Sequence, residues 1–401
     1  MSTTPPGTER QLTVVIALMA VAAFCSGFSQ RISDPLLPQI ATDFGVSVGQ
    51  AAAIVTAYAV PYGLTQAFAG VFGDRIGKCQ AVALTCAVSC LLVLLCVYSQ
   101  SLTQLTIARF ICAPAAATIV PLGMAYVGDT VAYEKRQPIL ARFLAGQMIG
   151  MIAGQAAGGI IGDLFGWRAA FLALSFVFIF ASIALMTQIL LRNPWTARVR
   201  REGGRGPGMI AEYRMLLGNP WPRFVVIAVF VEGAIFFAGM TYIAADLNTR
   251  FGLSYSVIGL IVAGFGIGSV IYASTVSWVV AALGPRGMVL AGGAIVMLGF
   301  LVLAGESAWQ IAPVAVITLG FGYYLLHNTL QTNATQMLPE ARGTAVAGFS
   351  SALFLGQSAG VALAAPIVDR AGAVPVFLIV AVLWPIMAVW IWRRLARRET
   401  A

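Results

Sequence analysis

Charged side chains are scarce in this chain of 401 residues: Asp, Glu, Lys and Arg make up 10% of it, against roughly 25% in a soluble domain. That deficit excludes an ordinary water-covered surface. Histidine occurs once and cysteine six times, and they form no metal-ligand cluster of the kind that holds a structural or catalytic metal. There is no glycine-rich phosphate loop and no polar stretch long enough to house a catalytic domain outside a membrane. The expectation is therefore a chain without cofactor or metal, and not an enzyme.

Apolar sequence is plentiful instead. Hydrophobic residues make up 59% of the chain and the mean hydropathy is +0.88. The apolar residues are gathered into stretches of about 20 residues, each long enough to cross a ~30 Å hydrocarbon core as a helix. The stretches predict twelve spans, at 12–33, 47–72, 78–98, 102–127, 137–162, 167–191, 221–246, 255–282, 286–304, 308–332, 343–368 and 373–392. The first follows a ten-residue polar start and has no small-x-small cleavage site, so it reads as a retained span rather than a leader peptide. The six cysteines, Cys25 to Cys112, fall mostly within spans and read as small buried apolar residues.

The net charge of +9 would suggest nucleic acid in a soluble protein. In a membrane chain it is read by side, and no nucleic-acid partner is expected. With the N-terminus in the cytoplasm, 19 of the 24 Lys and Arg residues fall on that side, including seven arginines between Arg192 and Arg223 and four in the tail. Arg31, Arg168, Arg250 and Arg370 fall on the opposite side, and Arg109 lies inside a span. This asymmetry predicts a multi-pass protein of a bacterial-type inner membrane with both termini cytoplasmic. Residues 192–220 are rich in Arg and Gly, then offer a short amphipathic piece from Met209 to Leu217, and read as a linker with a surface-lying helix. The chain thus divides into an N-terminal six-helix bundle at 1–191, the linker at 192–220 and a C-terminal six-helix bundle at 221–401.

The two halves repeat each other. Thr42-Asp43-Phe44-Gly45-Val46-Ser47 resembles Thr249-Arg250-Phe251-Gly252-Leu253-Ser254. Further on, Glu134, Arg136, Gly150, Gly154, Asp163, Gly166 and Phe171 map onto Glu340, Arg342, Gly356, Gly360, Asp369, Gly372 and Phe377 at one offset. Six spans per repeat bring both halves in from the same side, a parallel repeat about an axis along the membrane normal. Such repeats suit a transporter whose site lies between two rocking bundles.

Charges inside hydrocarbon cost at least ~2.5 kcal/mol each, so they are functional candidates by default. Asp34 lies near the outer end of span 1, Arg109 in span 4, Glu232 near the middle of span 7, and His327 in span 10 with Asn328 and Gln331. Spans 3, 6, 9 and 12 carry no ionisable residue in their middles, so spans 1, 4, 7 and 10 are expected to line a polar cavity. Glu232 is suited to bind and release a proton during transport, or to hydrogen-bond a neighbouring helix. Asp34 and Arg109 are close enough in depth to form a salt bridge. His327 faces the same way as Tyr324 and Gln331. Tyr58, Tyr62 and Gln66 form a stripe at i, i+4, i+8 that suits a large apolar ligand or helix packing. Span 5 repeats glycine at Gly146, Gly150, Gly154, Gly158 and Gly162, and span 11 carries Gly348, Ala352, Gly356, Gly360 and Ala364. Both are close-approach faces.

These residues resemble the major facilitator superfamily, and within it the twelve-span drug/proton antiporters, over essentially the whole chain. Gly70-Val71-Phe72-Gly73-Asp74-Arg75-Ile76-Gly77-Lys78 is similar to the family's G-x-x-x-D-R-x-G-[RK] loop between spans 2 and 3. The resemblance implies a gating role for Gly70, Asp74, Arg75, Gly77 and Lys78, with Asp129 as a partner acid; Cys79 replaces the usual second basic residue. In the second half Ala281 stands where the loop's acid would be. Arg109 falls where the family has its span-4 arginine. Gly150 to Gly159, including Gly154, Gly158 and Gly159, resembles the antiporter motif G-x-x-x-G-P-x-x-G-G with Gln155 in place of proline. Asp34 resembles an acid of drug-exporting relatives that handles protons. The resemblance implies a monomer with two helical bundles that exports small amphipathic molecules by proton antiport through alternating access. A proton-coupled carrier of a specific polar metabolite, with Arg109 holding an anion, is the alternative; a membrane enzyme or receptor is the remote one.

Overall fold

The computed structural model describes residues 6–68, 76–191, 193–196 and 208–399. Among them every regular element is a helix, as expected where no water is present to satisfy an open backbone. Ten stretches are long and apolar enough to cross a bilayer. One of them, Tyr255–Gly305, holds spans 8 and 9, because Gly284 at φ 63 breaks the helix between them. Span 2 is the shorter helix Ala53–Gln66, ended by a turn at Ala67 and Phe68; the last residues of its expected range lie outside the described residues. Twelve spans result, in two six-helix bundles.

Span 1 is longer than its apolar run. Helix Pro6–Arg31 gives way to a single three-ten turn at Asp34–Leu36 and resumes as Leu37–Phe44. Span 7 repeats this construction, with Pro220–Met240 continued by Ile243–Phe251. Each ends on a left-handed glycine, Gly45 at φ 63 and Gly252 at φ 64. Each is followed by a serine, Ser47 or Ser254, whose side chain caps the next helix. The repeated Thr-x-Phe-Gly segment is therefore a helix stop followed by a helix start. The other positive-φ glycines are related in the same way, Gly77 to Gly284 and Gly166 to Gly372.

The glycine faces pack within each bundle. A side chain at Gly146, Gly150, Gly154 or Gly158 of span 5 would meet the carbonyl oxygens of Ala20, Phe24, Phe28 and Ile32 of span 1. In span 11, Gly356 and Gly360 meet Phe230 and Ala234 of span 7 in the same manner. Gly159 differs, because it faces Tyr255 and Gly259 of the other bundle. Spans 3, 6, 9 and 12 present large apolar residues outward, among them Leu91, Phe176, Leu298 and Val382. The linker helix Met209–Gly218 is not merely surface-lying: Leu216 is buried against Gly348, and Glu212 accepts a hydrogen bond from Thr344, both on span 11.

The bundles meet along spans 5 and 8 and along spans 2 and 11. Asp163, at the end of span 5, accepts hydrogen bonds from the Ser256 hydroxyl at 2.6 Å and the Ser256 amide at 3.4 Å. Its repeat partner Asp369, at the end of span 11, accepts from the Ser47 hydroxyl at 2.8 Å and the Gly49 amide at 2.7 Å. Each acid thus caps the first turn of a helix in the opposite bundle. Ser358 and Ser351 of span 11 donate to the carbonyls of Thr56 and Gly63 of span 2, at 2.9 and 2.7 Å.

Candidate functional site

The break in span 1 exposes the polar centre of the molecule. Where the helix yields at Ile32 and Ser33, Arg31 and Asp34 are both more than nine-tenths buried. They form an ion pair with Arg31 Nη1 3.4 Å from Asp34 Oδ2. Arg31 is therefore not an outer loop charge as its sequence position implied. Span 1 runs on to Phe44, so the arginine lies inside the span with two further turns of helix beyond it. The Arg31 guanidinium lies 4.5 Å from the ring centre of Phe237, on span 7 of the other bundle.

The expected pair between Asp34 and Arg109 does not form. Arg109 directs both terminal nitrogens to the Ser29 carbonyl at 3.2 Å and stacks 3.8 Å from the centre of the Tyr58 ring. It is 1% exposed, with its donor edge on the backbone of span 1 instead of the cavity. The reason is proximity: Arg31, three residues from Asp34 on the same strand of chain, reaches the carboxylate first. Arg109 is thus a tie between spans 1, 2 and 4.

The tyrosine stripe belongs to the same tie. Tyr58 and Tyr62 stack with centres 5.5 Å apart. The Tyr58 hydroxyl bonds the Ser29 hydroxyl at 3.0 Å, and the Tyr62 hydroxyl accepts from Gln30 at 2.7 Å and lies 3.0 Å from the Ser26 hydroxyl. Tyr62 also packs on Phe354 of the other bundle, with centres 4.6 Å apart. The stripe is a hydrogen-bonded seam of spans 1 and 2 that reaches the bundle interface.

Spans 7 and 10 supply the other half of the site. Glu232 is fully buried, and its Oε2 lies 3.0 Å from Nδ1 of His327. The same nitrogen lies 3.2 Å from the Tyr323 hydroxyl, and the Tyr323 ring stacks on the imidazole with centres 5.1 Å apart. Oε1 of Glu232 is buried with no partner among the described residues. Phe236, Phe265 and Trp384 surround Tyr323, so the acid and the base share an apolar enclosure. Tyr324 joins them at the cavity, whereas Asn328 is half-buried facing Tyr272 and Gln331 is exposed and takes no place in the cluster.

A narrow cavity, about the size of one water molecule, lies between the bundles. Arg31, Met148, Met151 and Gln155 form its wall on one side, and Phe265, Ser269 and Tyr324 form it on the other. Its walls thus come from spans 1, 5, 8 and 10. That corrects the expected set of 1, 4, 7 and 10, because the glycine faces bring span 5 against span 1 while span 4 packs behind it. Gln155, which stands where the motif has proline, is 2% exposed and faces Asp34. Neither Arg31 nor Gln155 was legible as a cavity residue from charge spacing, since Arg31 sits just beyond the clean apolar run. Of the loop between spans 2 and 3, Gly70, Asp74 and Arg75 lie outside the described residues. Lys78 forms an ion pair with Asp129 at the ends of spans 3 and 4.

Two repeated six-helix bundles around a buried cavity are the architecture of a secondary transporter. The family model described as Major Facilitator Superfamily matches residues 19–246 and again 239–401, and the chain belongs to that family. It is 28% identical over 359 residues to a chloramphenicol resistance protein of Streptomyces lividans, covering 87% of each chain. It is 27% identical over 163 residues to the riboflavin transporter RibZ of Clostridioides difficile, covering 41% of this chain and 36% of that one. Among solved structures, the nucleoside transporter NupG superposes with a TM-score of 0.78 at 12% identity, over 95% of this chain and 99% of that one.

Proposed function

We propose that this protein exports small amphipathic molecules in exchange for protons by alternating access, with the Glu232–His327 pair as the proton carrier. The observation that carries the reading is the pair itself: a carboxylate with one orphaned oxygen, against an imidazole, in an apolar enclosure beside the cavity. A group so placed changes its contacts when a proton arrives, and spans 7 and 10 are held together by that contact. Protons enter from the outer side, and substrate leaves as the cavity opens there. The bundles 1–191 and 221–401 rock about the linker, and both termini lie in the cytoplasm of a bacterial-type inner membrane. The protein acts as a monomer. In this reading Asp74 and Arg75, with the Lys78–Asp129 pair, latch the cytoplasmic side.

The chloramphenicol resistance relative supports export of drug-like molecules. RibZ, by its name, supports the alternative of a specific polar metabolite. The latter no longer has Arg109 as its anion site, because Arg109 is engaged by Ser29 and Tyr58. In proteoliposomes with an imposed pH gradient, Glu232→Gln is expected to abolish gradient-driven flux while leaving substrate binding within about threefold. Undiminished gradient-driven flux in that variant removes Glu232 from the mechanism.

A further inference from the structure

Arg31 is a buried cation that the transport reading has not used. Its side chain is 9% exposed, and among the described residues it donates one hydrogen bond, the 3.4 Å contact with Asp34. Charge-assisted N–H···O bonds are normally 2.7–2.9 Å long, so even this contact is loose. A guanidinium has five N–H donors in a rigid fork, and this one lines the cavity between the bundles. Holding such a fork away from water is costly unless acceptors meet it.

The rest of the cavity says what kind of molecule brings the acceptor. Met148 and Met151 on one wall and Phe265 and Tyr324 on the other are polarizable and flat, the surfaces on which an aromatic body packs. Neither buried acid lines this cavity: Asp34 faces Arg31 and Glu232 faces His327. A cationic ligand in the cavity therefore meets a guanidinium and, among the described residues, no carboxylate, whereas an acceptor oxygen meets a guanidinium with donors to spare.

We infer that Arg31 anchors the transported molecule, and that the substrate class is a flat amphipath bearing an acceptor oxygen, as carboxylate, phenolate, nitro or carbonyl, and no cationic centre. The inference rests on the reading of this water-sized cavity as the closed form of the transport path, which the rocking bundles widen. Arg31 contacts substrate in this scheme and so sets specificity directly, with Gln155 beside it.

Three probes built on one naphthalene ring test it on the full-length protein in nanodiscs: naphthoate, its uncharged amide and naphthylmethylammonium. The expected result is that naphthoate, the amide or both bind at least tenfold more tightly than the ammonium. Arg31→Met then weakens acceptor binding about 10- to 100-fold, the usual worth of a charged hydrogen bond, while Arg31→Lys retains part of it. The double variant Arg31→Met with Asp34→Asn removes the ion pair as a neutral unit; it is expected to fold like wild type and still to lose acceptor binding. Binding by naphthoate but not the amide assigns the acceptor as anionic, and binding by both assigns it as any acceptor oxygen; each supports the inference. Ammonium binding equal to naphthoate, unchanged affinity in the folded double variant, or no binding by any probe overturns it. Flux separates it from the transport reading. Transport of the ammonium alone sinks the anchor and leaves transport standing, and acceptor binding at Arg31 without flux of any probe does the reverse.

Discussion

Arg31, Asp34, Arg109, Glu232 and His327 are buried at the centre of the molecule, and a sixth buried group at its periphery shows how their partners are chosen. Glu306 follows span 9, outside the membrane-crossing segments, with a fully buried side chain. Neither of its carboxylate oxygens has a hydrogen-bond partner among the described residues. Arg250 lies 3.5 Å away but gives its donors to Asp246 and to the Leu303 carbonyl at 2.7 Å. Burial pushes the Glu306 carboxyl up from 4.5 to about 7; Arg250 pulls it down and Asp246 pushes it up further. The folded protein therefore holds this proton up to about pH 7, while the unfolded chain releases it near 4.5. Between those values the unfolded state binds fewer protons, so stability falls as pH rises and levels off above the folded value. Melting curves of the detergent-solubilised protein between pH 5 and 8 are expected to show this decline, and Glu306→Gln to flatten it. An identical decline in the variant assigns the effect elsewhere. At the centre, Arg109 has no carboxylate partner among the described residues: its two terminal nitrogens meet a backbone carbonyl and its guanidinium lies on a tyrosine face.

Helix packing is set by which positions lack a side chain. Span 5 lies on span 1, and span 11 on span 7, with glycines directly over carbonyl oxygens, an approach that adds packing and interhelical contact where lipid supplies no hydrophobic drive. Substituting Gly150 or Gly356 by Leu forces backbone apart over at least a turn, an overpacking cost of about 1–3 kcal/mol. Both variants are expected to lower the melting temperature and the yield of folded protein in membranes. Gly305→Leu, where a side chain meets nothing within 4 Å, serves as the tolerated control; equal loss in all three refutes the packing account. These faces were legible in the sequence because a period of four on a helix leaves one reading of which side is bare. The same holds for the Thr-x-Phe-Gly repeats, whose glycines mark helix ends. The break at Ile32 and Ser33 was not legible. Nothing in an apolar run says that helix resumes after a three-ten turn, and missing that turn placed Arg31 in an outer loop. The convergence of Glu232 on His327 was hidden for a related reason, since 95 residues of chain and two helix rotations separate them.

The whole molecule is held at one end by two contacts that the internal repeat makes equivalent. Asp163 caps span 8 and Asp369 caps span 2, each a carboxylate from one bundle on the first turn of a helix in the other, where the helix dipole favours negative charge. Their appearance among the repeated identities marked them as paired, and only the fold shows that the pairing crosses the bundle interface. Alternating access by rocking requires these contacts to break whenever this end opens. Removing a cap of this kind costs about 1 kcal/mol, so losing both is expected to shift the closed-to-open balance at this end by roughly 30-fold. Spin labels at positions 164 and 253, in a background with the native cysteines replaced, report that balance as a distance distribution. Asp163→Ala with Asp369→Ala is expected to move population from the short to the long distance, and each single change to produce about half the effect in free energy. Unchanged distances in the double variant would show that the glycine contacts, Gly159 on Gly259 and Gly49 on Ala365, hold the end closed by packing alone.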